Sequence, residues 1–585
     1  MSRSVSERSR RGARGTSTTA IERIHVTAPA AAVGRAEPET IADATWARLQ
    51  SLRRVLDGVG ILEILAMALA VRALYVVTAG FPLNDGGLFY VFARDIQNAG
   101  YALPTLSSYN DGTIPFAYPP LGFYLAALAD DLTPASLLDI IWLLPMLESV
   151  AVVAAFYLLA SSLLRDRWTV LLATIAFALV PRSFIWLIMG GGLTRALALT
   201  LALLAIHQAR SAVETDRGAP LVRAAVFLGL ATLTTLETAS WAAVSLPLFT
   251  LVPFAGRADL LRRVRIVATI GLGAFAVALP WAAIVIARHG FDPFLAAREY
   301  GGSAIGQADL ALMWADLINP IHTGEPFFPL IAALGLLGAV YAVVRGSWLL
   351  PSWWLLTVVM GTRAFPTLAA ISVAMLAAIA VREVIVPAFD RATAGAPGSS
   401  RFRQLVAAGV GVVTLFFLVG ASLEDSRGDQ RYLRPLTDAE VQAMEWIAEE
   451  TPEDSTFLVI SRNGWYADRD GEWFPALAER ENVATVQGYE WVEGEFARRE
   501  ELQAMAQMCL PGEGNCLGSV LNIEAFDYVY VPETCCSAMR QLLEIEWRYE
   551  VIFDNGATVF QRVNGPVRPG GWDAYSSLPD ESELP

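Results

Sequence analysis

The run QLVAAGVGVVTLFFLVGAS at residues 404–422 decides the fold, because it is apolar and carries no charged side chain over 19 positions. A helix rises about 1.5 Å per residue, so this run would extend about 28 Å, close to the roughly 30 Å hydrocarbon thickness of a bilayer. It predicts a transmembrane helix. It also marks a boundary, since the chain before it is mostly apolar and the chain after it is acidic.

Further apolar runs fill the region before this boundary. The whole chain is 54% hydrophobic and 17% charged, whereas about a quarter of the residues in a soluble protein are charged. We therefore predict a polytopic, all-α membrane domain at 56–423 with about eleven transmembrane helices. The other predicted spans are 59–80, 135–164, 168–189, 193–212, 222–238, 240–255, 266–288, 327–345, 347–362 and 364–386.

The arginines between the spans predict the orientation. Connections rich in arginine stay in the cytoplasm, and with eleven spans the basic connections all fall on one face. This predicts a multi-pass cell-membrane protein with a cytoplasmic N-terminus and an extracytoplasmic C-terminal domain. Residues 1–55 are rich in Arg, Ser and Ala and lack an apolar run, so we predict a disordered cytoplasmic tail there. The arginines concerned are Arg165, Arg167, Arg210, Arg217, Arg223, Arg257, Arg262, Arg263, Arg265, Arg345, Arg391, Arg401 and Arg403.

The segment PPLGFYLAALADDL at 119–132 is a separate case. It is apolar, but it is short for a span and ends in Asp130 and Asp131. Counting it as a span would move every later arginine cluster outside. We therefore predict an interfacial or re-entrant helix within one large external loop, 82–134.

The acidic segment 424–585 predicts a soluble domain. It holds 32 Asp and Glu against 12 Arg, whereas the rest of the chain is slightly basic. Strand-like stretches at 456–461 and 527–531 alternate with helical stretches at 438–450 and 495–508, which indicates a small α/β domain. All four cysteines lie here, and an even number of clustered cysteines in an exported domain favours two disulfides over a metal site or free thiols. They are Cys509, Cys516, Cys535 and Cys536.

The first external loop carries the best candidate for chemistry. It opens FPLNDGGLFYVFARDIQNAG at 81–100, with Asp85 just beyond the first span. An acidic residue at a membrane boundary can act as a general base or hold a cation. Asp is also a favoured helix cap, and Asp85 precedes a helical stretch at 88–98. The residues alone leave both roles open.

An Asp after the first span, a juxtamembrane helix and then Tyr118-Pro119-Pro120-Leu121 resemble the membrane glycosyltransferases of the GT-C superfold. The pattern is most similar to glycosyltransferase family 39 and the protein O-mannosyltransferases. The resemblance implies a hexosyltransferase in which the acidic residue, here Asp85, activates the acceptor or coordinates a metal. Because the neighbours are Asn84 and Gly86 rather than a second acid, no paired metal motif is present. The resemblance leaves a divalent cation open as a cofactor.

The same resemblance implies the partners. These are a polyprenyl-phosphate sugar donor, membrane lipid, and a protein or glycan acceptor, with no nucleic acid. Transfer by a single displacement would invert the anomeric configuration. The alternative is a polytopic transporter or flippase for a lipid-linked or envelope substrate, although few ionisable residues fall mid-span, where coupled transporters place them. A membrane-anchored scaffold is a third reading.

Other polar residues are candidates for substrate binding. An Arg late in the membrane domain is assigned to the lipid phosphate in the families resembled, and Arg363 matches it in position, although it could also reach lipid headgroups. Arg195 follows a run of glycines at a helix start, and Glu237 is predicted near the outer membrane face. Tyr118 belongs to the motif above, and His322 lies in a second long external loop, 289–326. For Arg195 and His322, a plain turn and a solvated loop histidine are the simpler interpretations.

Overall fold

The computed structural model describes residues 60–563 except 216–217, 253–255, 301–322, 327, 362–363, 394–399, 425–432 and 510–515. The predicted N-terminal tail lies outside this part. Helices dominate up to residue 424. In chain order they are α1 (Ile61–Ala79), α2 (Gly87–Asn98), α3 (Leu121–Leu132), α4 (Leu137–Leu163), α5 (Arg167–Leu179), α6 (Gly192–Thr215), α7 (Gly218–Thr232), α8 (Leu236–Leu251), α9 (Arg257–His289), α10 (Asp292–Tyr300), α11 (Leu330–Val344), α12 (Leu349–Met360), α13 (Phe365–Ala380), α14 (Val386–Thr393) and α15 (Ser400–Glu424).

Six helices in the described residues are long and apolar enough to cross a membrane, and the protein is an integral membrane protein. A seventh crossing results if α5 and the 3₁₀ turns at Pro181–Leu187, bent by 85°, count as one span. The predicted number of eleven is not confirmed. Each predicted span does contain a helix, but several are short. At about 1.5 Å per residue, the 15 residues of α7 or α11 extend about 22 Å, less than the hydrocarbon thickness.

The first loop is compact. Its helix α2 packs against α3, the apolar segment that the sequence predicted to be helical without being a span. A tight turn between them joins Leu106 to Pro115 through an isolated β-bridge. Asp95 fixes this turn by accepting hydrogen bonds from the Ser107 hydroxyl at 2.8 Å and the Ser108 amide at 3.0 Å.

The C-terminal domain is built on a five-stranded mixed sheet. Strand β1 (Thr456–Val459) pairs in parallel with β2 (Glu481–Asn482) and β3 (Tyr528–Val531). An antiparallel hairpin of β4 (Tyr549–Asp554) and β5 (Thr558–Arg562) extends the sheet beyond β3. The strand order is β2-β1-β3-β5-β4. Strands β1 and β3 lie within the stretches predicted at 456–461 and 527–531. The elements are α16 (Asp438–Glu450), β1 (Thr456–Val459), α17 (Arg469–Leu477), β2 (Glu481–Asn482), α18 (Glu495–Gln507), α19 (Cys516–Leu521), β3 (Tyr528–Val531), α20 (Ser537–Ile545), β4 (Tyr549–Asp554) and β5 (Thr558–Arg562).

Two of the cysteines form a bond between neighbours in sequence. Cys535 and Cys536 are joined by a disulfide just before α20. Cys509 is also disulfide-bonded, and the side chain of Cys516 lies outside the described residues. Three of the four cysteines are therefore disulfide-bonded in the described part of the C-terminal domain.

One hydrophobic core joins the C-terminal domain to the first loop. It contains Phe92 and Phe123 from the loop helices and Trp473 and Tyr489 from the C-terminal domain, all of them nearly fully buried. The Trp473 ring lies edge-on to that of Phe81, with 4.8 Å between their centroids. Burial of large aromatic side chains dominates such interfaces, so the domain is packed against the loop that carries Asp85.

Candidate active site

Asp85 lies where three chain segments meet. These are the turn after α1, the glycines before α6 and the start of α17 from the C-terminal domain. The Asp85 side chain is buried, with the residue 7% exposed. One carboxylate oxygen accepts a hydrogen bond from the Gly191 amide at 2.8 Å, and the other is paired with the Arg195 guanidinium.

These contacts show which groups the Asp85 carboxylate binds. The N-cap of α2 is Gly86, and no side chain of the cap residue bonds the helix. The Asp85 oxygens point instead to the start of α6. The interpretation of Asp85 as the cap of the following helix is therefore wrong.

Glycine allows the segments to approach this closely. A Cβ on Gly190 would collide with the Asp85 carbonyl, and one on Gly191 would lie 2.7 Å from the Asp85 carboxylate and 2.6 Å from the Arg195 guanidinium. Gly86 has a φ of 133°, which only glycine adopts readily. These glycines therefore allow neighbouring segments of the chain to pack directly against Asp85.

Arg195 lies at the start of α6 and is held on two sides. Its guanidinium stacks over the Trp186 ring, 4.6 Å from the centroid, and one N–H points to the Trp186 carbonyl at 3.4 Å. Guanidinium groups carry five N–H donors in a planar fork. The residue is therefore a fixed cation beside Asp85 rather than a plain turn residue.

Tyr118 and Glu237 lie around the same centre. Burial raises the pKa of Tyr118 to about 12, although the Arg195 charge and a hydrogen bond with Thr194 act to lower it. The charge of Glu237 acts to raise the pKa of Tyr118. The Glu237 carboxylate accepts a hydrogen bond from the Ala364 amide at 2.8 Å. The structure therefore brings Asp85, Arg195, Tyr118 and Glu237 into one region.

Two predicted substrate-binding residues, Arg363 and His322, lie outside the described residues. Arg363 is adjacent in sequence to Ala364, the residue that Glu237 contacts. Nothing in the described part places the guanidinium or the imidazole, so both remain predictions.

The residue that the sequence analysis missed is Glu472, on α17 of the C-terminal domain. Its carboxyl group accepts a hydrogen bond from the Gly86 amide at 2.9 Å. Glu472 is buried, with 6% of its surface exposed. Burial raises the pKa of Glu472 well above its usual range, and the nearby Asp85 carboxylate raises it further. A second acidic group is thus present beside Asp85, but it comes from 387 positions further along the sequence.

The carboxyl groups near Asp85 do not fit a divalent cation. The Arg195 guanidinium already lies against the Asp85 carboxylate, and Glu472 is engaged by a backbone amide. Within the described ranges no group of three or more His, Cys, Asp or Glu side chains could hold a metal ion.

Similarity to known proteins is found among solved structures. No family model matches the chain, and no curated protein matches it. Among solved structures it is similar to the oligosaccharyltransferase AglB from Archaeoglobus fulgidus, with 14% identity, a TM-score of 0.47, and coverage of 88% of this chain and 75% of AglB. It is also similar to apo ArnT from Cupriavidus metallidurans, with 15% identity, a TM-score of 0.48, and coverage of 87% and 99%.

A third similar structure is the mycobacterial arabinofuranosyltransferase AftD. The identity is 15%, the TM-score is 0.49, and the match covers 86% of this chain and 40% of AftD. All three identities are 14–15% and all three TM-scores are below 0.5.

Proposed function

We propose that this protein is a membrane glycosyltransferase that moves a hexose from a polyprenyl-phosphate donor to a hydroxyl of an extracytoplasmic protein or glycan. The observation that carries the proposal is the ion pair between Asp85, which is buried, and Arg195, which is half-buried, just after the first predicted span. It sets an acid and a cation side by side where a lipid-linked sugar would present its anomeric carbon.

Asp85 would act as the general base. An ionised carboxylate offers about four acceptor positions, and among the described residues Gly191 and Arg195 take one on each oxygen. A position on each oxygen is left for the acceptor hydroxyl. Such a base contributes about 10²- to 10⁴-fold to the rate.

The transfer is a single displacement at the anomeric carbon. The acceptor proton passes to Asp85, the acceptor oxygen forms a bond to the anomeric carbon, and the bond from that carbon to the phosphate oxygen breaks. The polyprenyl phosphate leaves with the electron pair. The anomeric configuration inverts.

A cation near the leaving group would stabilise the charge that develops on the phosphate. Arg363 is the candidate from the sequence. Arg195 is a second one on geometry, because its planar guanidinium has donors left after it contacts Asp85 and Trp186.

The proposal is tested with purified full-length protein in lipid. Radiolabelled polyprenyl-phosphate hexoses and cell-envelope acceptors are supplied, and the anomeric configuration of any product is determined by NMR. Formation of a product with inverted configuration supports the proposal, and a retained configuration contradicts the single displacement. Movement of labelled lipid across sealed vesicles without any product would favour a flippase instead.

A further inference from the structure

The backbone on both sides of Asp85 is held by the C-terminal domain. On one side the Trp473 indole N–H donates to the Asn84 carbonyl at 3.2 Å. On the other the Glu472 carboxyl group accepts from the Gly86 amide at 2.9 Å. Two consecutive residues of α17 therefore fix the two peptide groups that flank Asp85.

The turn needs this support because its backbone is unusual. Asn84 has a φ of 55° and Gly86 a φ of 133°, and a left-handed conformation at a non-glycine residue costs energy that the surroundings must offset. Two more contacts from the C-terminal domain reach Asn84. Its amide N–H donates to the Arg434 carbonyl at 3.2 Å, and its side chain donates to the Tyr466 carbonyl at 3.3 Å.

Glu472 also supplies the cap that α2 lacks. The first amides of a helix have no partner inside it, and the cap residue Gly86 has no side chain to provide one. Glu472 accepts a hydrogen bond from the Gly86 amide, and the Leu88 amide in the first turn of α2 acts to lower the pKa of the same carboxyl group. A carboxyl group of the C-terminal domain thus caps the helix that follows Asp85.

The fit around this contact is close. The Tyr109 hydroxyl donates to the Glu472 carbonyl at 2.6 Å, and a Cβ on Gly87 would lie 2.6 Å from the same carbonyl. Little movement of α17 relative to the turn is possible without breaking these contacts.

We propose that Glu472 is a positioning residue that holds Asp85 in its reactive orientation, so that the C-terminal domain forms part of the active site. This inference rests on the proposed function. It assigns to the domain a role in the reaction that acceptor selection or membrane anchoring would not require. Since a misplacement of about 1 Å can cost 10²-fold in rate, loss of the cap is expected to act on turnover.

The test compares Glu472→Ala with Glu472→Gln in full-length protein in lipid. Glutamine keeps a carbonyl oxygen that can accept from the Gly86 amide, whereas alanine cannot. The matched control is Glu479→Ala, because Glu479 lies on the same segment and pairs with Arg94 of α2 at 2.7 Å but is exposed.

Two readouts are combined. Hydrogen exchange of a peptide covering 84–92 is expected to rise in Glu472→Ala, to rise less in Glu472→Gln and to stay unchanged in Glu479→Ala. Exchange of β3 is followed to show that the domain remains folded. In the transfer assay, kcat is expected to fall about 10- to 100-fold in Glu472→Ala with the donor KM unchanged, and glutamine should restore part of it.

Unchanged hydrogen exchange at 84–92 in Glu472→Ala would show that Glu472 does not cap α2. Raised exchange with unchanged kcat would overturn the positioning role. A wild-type protein that transfers no sugar would contradict the proposed function alone, and the exchange data would still decide whether Glu472 holds the turn.

Discussion

At the scale of single residues, the glycines before α6 determine how closely Asp85 and Arg195 approach. We predict that Gly190→Ala displaces the turn after α1, because the added Cβ would collide with the Asp85 carbonyl. Transfer should fall by at least about tenfold, and the melting temperature should decrease. The control is Gly271→Ala in α9, where a Cβ would meet no atom within 4 Å. Equal behaviour of the two variants would contradict the close approach.

The sequence allowed Asp85 to be selected but not its surroundings. Its place after an apolar run and the adjacent Gly86 and Gly87 are local features. The pairing with Arg195 joins positions 110 apart, and the contact with Glu472 crosses into another domain. Pairs of this kind depend on tertiary packing, which periodicity and spacing do not encode.

At the scale of elements, α17 carries an acidic group whose charged form is costly to bury. Asp470 is fully buried, and its carboxylate oxygens have no hydrogen-bond partner within the described residues. Burial raises the pKa of Asp470 well above its usual range, and the nearby Glu440 raises it further, against the effect of Arg469. The folded state therefore keeps a proton that the unfolded chain releases.

Because the pKa of Asp470 is raised on folding, this residue lowers the stability of the protein as the pH rises. Asp470 disfavours folding increasingly as the pH rises from about 4, the pKa of an unfolded Asp, to the raised pKa of the folded state. We predict that Asp470→Asn raises the melting temperature at neutral pH, with a gain of about 1.4 kcal/mol for each unit of pKa shift removed. The gain should disappear at low pH. Melting curves from pH 4 to 8 test this, with the exposed Glu453→Gln as control, and a gain that does not depend on pH would contradict it.

Most helices and strands could be predicted from the periodicity of apolar residues in the sequence. Helices such as α16 and strands such as β3 coincide with their predicted stretches, since both depend on local periodicity. The predicted number of membrane crossings is not confirmed. Helices of 12–15 residues, such as α12 and α11, are apolar but short, and composition alone does not show whether such a helix crosses the membrane.

At the scale of the whole molecule, the C-terminal domain and the first loop share a core. We predict that Trp473→Ala weakens this attachment, because the side chain is buried and contacts both Phe81 and the Asn84 carbonyl. Truncation of a buried Trp costs roughly 3–5 kcal/mol. Limited proteolysis should cut the connection between α15 and α16 faster in this variant than in Tyr466→Ala, whose side chain is 68% exposed. Equal rates would argue against the shared core.

Asp85 is proposed to be the base of a glycosyl transfer. This is tested by transfer of label from a polyprenyl-phosphate hexose by wild type, Asp85→Asn and Asp139→Asn in lipid, where the Asp139 carboxylate accepts hydrogen bonds from Ser136, the N-cap of α4. We expect transfer by wild type and by Asp139→Asn, and a loss of about 10²- to 10⁴-fold in Asp85→Asn. Full transfer by a folded Asp85→Asn variant would contradict the account.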